Sequence, residues 1–480
     1  MVTHGAWIGV DLGTQSVRAV LVAATGEVLA RAARPLTSRR GKVWHEQDPQ
    51  EWISTVEQVL AEVSPYGEVE GLAICSTSGT VLLTDRTGRP ASPALMYDDA
   101  RAAHFLPRIV AADPERWGSA MQPTWALPKI LWLDPDEDQL IAHSADVVAA
   151  HLAGHPVATD TSHALKTGYD LAGVERGAPG ADGAGAPGSW PEAAFERLGL
   201  SVGALPEVVL PGTTIGTVSA ATAQVTGVPA GTPIVAGMTD GCASQIAAGA
   251  LTPGAWNSVL GTTLVLKGVT KDLINDPTGA VYSHRHPDGD GWLPGGASNT
   301  GAGALTTMLP GADLDALDRA AIQLGEPVDA TIYPLTKPGE RFPFVAPDAA
   351  GFELGAVRDD LHRYVGVLQG VAFIERLAFE HLTKLGAEAP RSVALTGGAV
   401  RSEHWNQLRA DVLGVPVELP EAADPAYGMA VLAASGDSSV AETARRMVRI
   451  SRVIEPRPSE RLTTLYGEFV AELDRRGYLR

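Results

Sequence analysis

The sequence predicts an α/β protein, on three observations. Apolar, β-branched runs broken by tight turns open the chain, a strongly signalled helix follows them, and the opening strand, Gly-Thr turn, strand pattern returns near residue 255. Its 480 residues allow about three domains, or two large ones, each with material for a real core.

Trp7 to Val10, Val17 to Val22 and Val28 to Ala32 read as an antiparallel meander, with turns at Gly13-Thr14 and Thr25-Gly26-Glu27. Asp48 then supplies an N-cap carboxylate, Pro49 the first helical position and Glu51 an acidic first turn, which predicts a helix to about Val63. Leu72 to Cys75, Val81 to Leu83 and Ala94 to Tyr97 follow as strands. Arg176 to Gly188 is almost wholly Gly, Ala and Pro and reads as a loop insertion. Its GxGxxG string, Gly183 to Gly188, has no strand before it and contains Pro187, so it fails as a dinucleotide fingerprint. Ile234 to Ala236 reads as a strand leading into a helix over Cys242 to Ala248. Ala255 to Leu260, Gly261-Thr262-Thr263 and Leu264 to Val269 form the second hairpin. Ser392 to Thr396 is a strand ending in Gly397-Gly398, with helical spacing over His404 to Leu413 beyond it; a backbone so bare admits a ligand closely. A last helix, roughly Ser459 to Arg476, could pack on either domain.

Composition narrows the function. Hydrophobic residues are 45% and charged ones 19%, which fits neither a disordered nor a membrane protein. The formal charge of -19 leaves no basic stripe for DNA or RNA. Cys75 and Cys242 make no CxxC motif or disulfide framework, no export signal is evident and no long apolar run could cross a bilayer. A cytoplasmic protein without nucleic-acid or membrane partners is expected.

Asp11-Leu12-Gly13-Thr14-Gln15-Ser16 places a carboxylate at a strand end with amides and hydroxyls directly after it, a combination suited to phosphate oxygens and their Mg²⁺; the alternative is an Asp in an ordinary hairpin turn. No Walker A motif is present. Asp240 falls at a predicted helix N-terminus, either facing a ligand or serving as an N-cap. His284-Arg285-His286 lacks a third metal ligand at a recognised spacing and reads as a solvated loop, His45-Glu46 does not begin an HExxH motif, and Cys242 suits a small buried apolar role.

An ordered series of motifs carries a resemblance. Asp11 to Ser16, Trp44-His45-Glu46-Gln47-Asp48-Pro49, Tyr97-Asp98-Asp99-Ala100-Arg101 and Lys129-Ile130-Leu131-Trp132 resemble the first half of the FGGY carbohydrate kinases. Leu205-Pro206-Glu207, Gly237-Met238-Thr239-Asp240, Gly261-Thr262-Thr263, Gly366 to Phe373 and Thr396-Gly397-Gly398 resemble the second half, in the family's order and over almost the whole chain. The resemblance implies two α/β domains of the actin and hexokinase (ribonuclease H-like) type, residues 1–240 for sugar and phosphate and 241–480 for ATP, with both substrates in a central cleft that closes to exclude water. It implies that Asp11 organises Mg²⁺, that Asp240 is the general base, that Gly13, Thr14, Gln15, Gly261, Thr262 and Thr263 hold phosphates, and that Gly397 and Gly398 let adenosine lie against the backbone. Ser402 stands where glycerol kinases carry an adenine-contacting Asn.

For the sugar, the resemblance points to Ser78, Thr80, Tyr97, Asp98, Asp99, Arg101 and Asp240. Ser78-Gly79-Thr80 occupies the place of the Met-His-Gly of xylulokinases and looks more like the ribulose-phosphorylating members. Tyr97 replaces the usual Trp, and Asp98 an Asn or Gln; a core aromatic with a wet tip is the other reading of Tyr97. The expectation is an ATP-dependent ketopentose kinase making a 5-phosphate, with D-ribulose slightly ahead of D-xylulose; a homodimer is compatible with it. A polyol or other sugar kinase, or an actin-like ATPase or sensor, are the competing expectations.

Overall fold

A computed structural model describes residues 5–118, 121–172 and 188–479. The loop expected over Arg176 to Gly188 lies, but for Gly188, outside the described residues. The compact units are not two continuous halves cut after residue 240. The first comprises Met1–Gly249, His284–Asp290 and Asp424–Val448, and the second Ala250–Ser283, Gly291–Ala423 and Arg449–Arg480.

The first unit is built on a six-stranded sheet, ordered Thr214–Thr217, Pro233–Val235, Val69–Ser76, Ala6–Leu12, Ser16–Ala23, Val28–Pro35. The expected meander forms its last three strands, with Leu12 paired to Val17 and Asp11 to Arg18, while Val69–Ser76 runs parallel to Ala6–Leu12. Alternation along Ala6–Leu12 sends Ile8, Val10 and Leu12 into a core with Trp52, Val56 and Leu60 of the helix Pro49–Val63. That helix starts as its sequence dictates, the Asp48 carboxylate accepting from Gln50 N at 2.9 Å.

Gly9 and Asp11 point to the other face, where the helix Pro425–Ala433 lies. A Cβ on Gly9 would fall 1.8 Å from the Ala426 carbonyl oxygen, and one on Gly428 would fall 2.0 Å from the Ala243 carbonyl oxygen of the helix Asp240–Ala247. The late helix is therefore seated between strand and helix by missing side chains. A small antiparallel sheet in the same unit, ordered Arg39–Arg40, His45–Gln47, Ala94–Leu95, Val81–Asp85, Gln139–His143, rests on a core that includes Ile109, Trp117, Leu127 and Ile130. His45 and Glu46 are thus in a strand just before the Asp48 cap.

The second unit repeats the opening plan. Trp256–Leu260 and Leu264–Gly268 form a hairpin, and Val393–Thr396 runs parallel to the first of them, within a seven-stranded sheet. The 25-residue helix Asp360–Lys384 is buried along most of its length, and Glu460–Arg475 seats Leu462, Leu465, Tyr466, Phe469 and Leu473 in this unit's core. The terminal helix therefore belongs here. The solvated loop expected at His284-Arg285-His286 is corrected: Tyr282–Arg285 is a strand, and His284 and His286 are buried. Among the described residues no helix is long and apolar enough to cross a membrane.

The close approaches set a test. Gly9→Ala and Gly428→Ala should each destabilise the protein by about 1–3 kcal/mol, since backbone must move to admit the methyl. Gly467→Ala, on an exposed helical turn where a Cβ meets nothing, should stabilise it by up to about 1 kcal/mol. Urea unfolding of the three variants checks this, and equal effects at all three sites would refute it.

Candidate functional site

Two carboxylates stand at the ends of these elements, within electrostatic reach of each other. Asp11 ends the strand on the Gly9 face and is 3% exposed, with Arg18 Nη1 3.0 Å from its Oδ2. Burial and the neighbouring Asp240 carboxylate push its pKa up to about 6 against the pull of Arg18. Burial and these same carboxylates raise Cys75, so it stays a neutral thiol and adds no charge. After Asp11 the turn is held open: Gly13 N donates to Ser16 O at 3.1 Å, Gln47 Nε2 to Thr14 O at 2.6 Å and Leu36 N to Gln15 O at 2.9 Å. Thr14 remains partly accessible and Gln15 exposed.

Asp240 is the first residue of its helix, and the N-cap position belongs to Thr239. The N-capping alternative is therefore set aside; Asp240 Oδ1 accepts from Gly241 N at 2.8 Å, and the side chain keeps partial access to solvent. Thr239 extends the sheet through a parallel bridge to Ser76, which brings the helix start beside the loop leaving the central strand.

That loop carries Ser78, whose Oγ is buried without a hydrogen-bond partner. Thr80 is committed internally, its Oγ1 2.6 Å from Thr77 Oγ1. Lys129, fully buried, donates to Gly79 O at 2.8 Å and Met96 O at 2.6 Å, so one ammonium pins both this loop and the Tyr97–Arg101 segment. Burial brings its pKa down to about 7. Sequence reasoning placed Lys129 in a motif without a role; a lone Lys inside the apolar helix Ala126–Leu133 was the signal.

The Tyr97–Arg101 residues divide by task. Asp99 is fully buried and accepts from His45 N at 2.9 Å and from Arg101 Nε and Nη2 at 3.0 and 2.7 Å. Arg101 also donates to Glu46 at 2.8 Å and lies over the Trp44 and Trp132 rings at 5.7 and 4.8 Å. The polar groups of these two, expected to touch sugar, are engaged with His45, Glu46 and each other. Asp98 is part-exposed and held by His45 Nδ1 at 2.5 Å and by Arg40 at 3.2 Å, and Tyr97 is 41% exposed, which sets aside its core reading.

In the second unit, Ala302 N donates to Gly261 O at 2.9 Å and Gly303 N to Thr262 O at 3.2 Å, ordering the Gly261-Thr262-Thr263 turn while Thr262 stays exposed. The buried Glu340 carboxylate ties the adjoining segment, accepting from Ser298 Oγ, Asn299 N and Thr300 Oγ1. Gly397 has φ +88°, with Leu260 O 2.6 Å from where a Cβ would stand, whereas a Cβ on Gly398 would meet nothing within 4 Å. The Ser402 hydroxyl caps the helix Glu403–Leu413 by accepting from Trp405 N at 2.9 Å and donates to Asp318. Among the described residues no group of three His, Cys, Asp or Glu could cage a metal ion. The buried Asp11 carboxylate, incompletely neutralised by Arg18, instead fits a hard cation held by one carboxylate and completed by phosphate oxygens and water.

The displaced pKa values have opposite consequences. Asp11 sits above its ordinary 3.8, so between about pH 4 and 6 the folded chain holds the extra proton and stability falls as pH rises. Without added divalent metal, Asp11→Asn should melt higher than the parent at pH 8, with the gap closing toward pH 4; a lower melting point at pH 8 would refute this. Lys129 sits below its ordinary 10.5, so from about pH 7 to 10 the unfolded chain holds more protons and stability rises. Lys129→Met should lose ground against the parent across that range, and a pH-independent difference in urea midpoint would refute it.

Comparison with known proteins places this geometry. Residues 6–169 match the model of the N-terminal domain, and residues 256–436 that of the C-terminal domain, of the FGGY family of carbohydrate kinases. A xylulose kinase of Streptomyces coelicolor is 30% identical over 89% of this chain and 87% of its own, and one of Escherichia coli is 28% identical over 89% of each. The crystal structure of a xyloylose kinase from Brucella ovis superposes with a TM-score of 0.85 at 25% identity, covering 98% of both chains. A Plasmodium falciparum glycerol kinase with ADP shares the fold at 17% identity and a TM-score of 0.85. The fold is thus the two-domain actin and hexokinase type, and the chain belongs to the FGGY family of carbohydrate kinases as an ATP-dependent sugar kinase.

Proposed function

We propose that the enzyme transfers the γ-phosphoryl group of ATP to the terminal hydroxyl of a ketopentose, giving the 5-phosphate, with xylulose ahead of ribulose and Asp240 as general base. One observation carries the chemical reading: Asp240, part-exposed at a helix start, stands in the electrostatic reach of buried Asp11 and beside the loop that holds the unsatisfied Ser78 hydroxyl. The relatives named xylulose kinases, at 28 and 30% identity, move xylulose ahead of the ribulose that Ser78-Gly79-Thr80 suggested. Gluconokinase of Bacillus subtilis, 24% identical over 86% of this chain, keeps a sugar acid as the second reading.

Phosphoryl transfer through a loose transition state asks the protein for alignment, charge neutralisation and a proton acceptor. Asp240 orients the acceptor hydroxyl and takes its proton late, its carboxylate held in place by the Gly241 amide at its own helix start. The backbone around Gly13, Thr14 and Gln15 in the first unit offers donors suited to phosphate oxygens, and in the second unit the Gly261-Thr262-Thr263 turn offers the same kind of donor. Asp11 would hold a Mg²⁺ accompanying the nucleotide, which supplies neutralisation of the phosphates. Gly398 leaves room for adenosine to approach the backbone. Tyr97 and Asp98 present polar groups to the sugar, while Thr80, Asp99 and Arg101 keep the surrounding segments in place.

A coupled ADP-release assay over D-xylulose, D-ribulose, L-xylulose, gluconate and glycerol should give the highest kcat/KM with D-xylulose. A higher value for gluconate or glycerol would overturn the ketopentose assignment. Asp240→Asn should reduce kcat by about 10² or more while nucleotide affinity stays nearly unchanged; retention of parental kcat would remove Asp240 as the base.

A further inference from the structure

A buried turn that the proposed chemistry does not use connects two parts of the site that it does use. The Asp160 Oδ1 atom accepts from Ser162 N at 2.7 Å, Ser162 Oγ at 2.5 Å and His163 N at 3.2 Å, and Asp160 Oδ2 pairs with His163 Nδ1. Two bonds leave the turn. His163 Nε2 lies 2.8 Å from Ser76 Oγ, which also accepts from Ser144 Oγ at 2.8 Å, and Thr239 N donates to Ser162 Oγ at 2.8 Å. Asp160, Ser162, His163, Ser76 and Thr239 are all buried. Ser76 is the root of the acceptor loop Thr77–Thr80, and Thr239 immediately precedes Asp240.

The order carboxylate, imidazole, hydroxyl is that of serine nucleophiles. Ser76 is 0% exposed, however, so no acyl group can reach it, and a nucleophilic role is excluded. Burial acts against charge on both partners, yet each holds the other ionised: the Asp160 carboxyl stays below and the His163 imidazole above its ordinary value, the latter with help from Asp146 and Asp240. A buried ion pair is a weak means of gaining stability compared with apolar packing of the same volume. What it provides is direction, because every bond fixes an angle as well as a distance.

We propose that the Asp160-Ser162-His163 turn is a positioning device for phosphoryl transfer, clamping Ser76 and Thr239 in one relation so that the acceptor loop and Asp240 address the same sugar hydroxyl. This rests on the reading of Asp240 as general base. Ser162 and His163 are positioning residues, acting through Thr239 and Ser76 without touching substrate. Ser162→Ala removes the acceptor of the Thr239 amide, and Ser76→Ala the partner of His163, each by loss of a single oxygen.

Both variants should lower kcat about 10-fold, the loss expected when reacting groups drift by a fraction of an ångström, while KM for ATP and the nucleotide Kd stay within about twofold. Hydrogen exchange at the Thr239 amide should quicken in Ser162→Ala without a comparable change elsewhere in the central sheet. The proposal is overturned if both variants keep kcat within about twofold of the parent, or if kcat, nucleotide affinity and melting temperature fall together. Should Ser162→Ala fail to fold, Ser76→Ala decides by the same split. Asp240→Asn is measured alongside: parental kcat there overturns the base assignment and the clamp with it, whereas a loss of about 10² there with parental kcat in both serine variants overturns the clamp alone.

Discussion

The site rests on a backbone approach that only absent side chains permit. The helix Pro425–Ala433 presses its Ala426 carbonyl against Gly9, and its Gly428 against the Ala243 carbonyl. Two residues beyond Gly9 on the same face stands Asp11, and three residues before Ala243 stands Asp240. One helix thus sets the relation between the strand that ends in one carboxylate and the helix that begins with the other. A methyl group at either contact would be transmitted to both acids, because close-packed interiors shift rather than compress.

Around that frame the first unit treats its buried charges in two ways. Asp99 with Arg101, and Asp160 with His163, are neutralised at once by partners in direct contact, and their bonds are spent on holding loops. Asp11 is different: Arg18 reaches one oxygen from a half-exposed position and does not outweigh burial and Asp240. A buried carboxylate that remains poorly neutralised is destabilising by itself, and such strain is characteristic of places where a ligand completes the charge balance. Lys129 shows the reverse case, an amine that donates to two carbonyl oxygens while burial lowers its proton affinity.

Much of this was legible in the sequence because it is local. The Asp48-Pro49-Glu51 helix start, both Gly-Thr hairpins and the Gly397-Gly398 pair each depend on a few neighbouring residues, and each appears where the sequence put it. The placement of Asp11 and Asp240 at element ends was legible for the same reason. What escaped depends on distance along the chain. Nothing within Pro425–Ala433, apolar on every side, says that it belongs with a strand at the N-terminus rather than with its own neighbours. Asp99 and Arg101 looked like ligand contacts because nearby residues do not reveal that a Trp44 and a Trp132 close over the pair. His284 looked solvated because charged and polar spelling hides a strand whose middle residues, Ser283 and His284, are buried.

The return of Asp424–Val448 to the first unit also bears on how the chain is made. A ribosome delivers the first 249 residues well before it reaches Asp424, and at about 5–20 residues per second the wait is on the order of 10–35 s. Through that interval the face of Ala6–Leu12 carrying Gly9 and Asp11 lacks its covering helix, and the start of the Asp240 helix has no partner at Ala243. The nascent first unit is therefore incomplete until a segment of its own chain arrives to cover that face. The pairing of Asp11 with the Asp240 helix is completed late in synthesis, although Asp11 is among the first residues made.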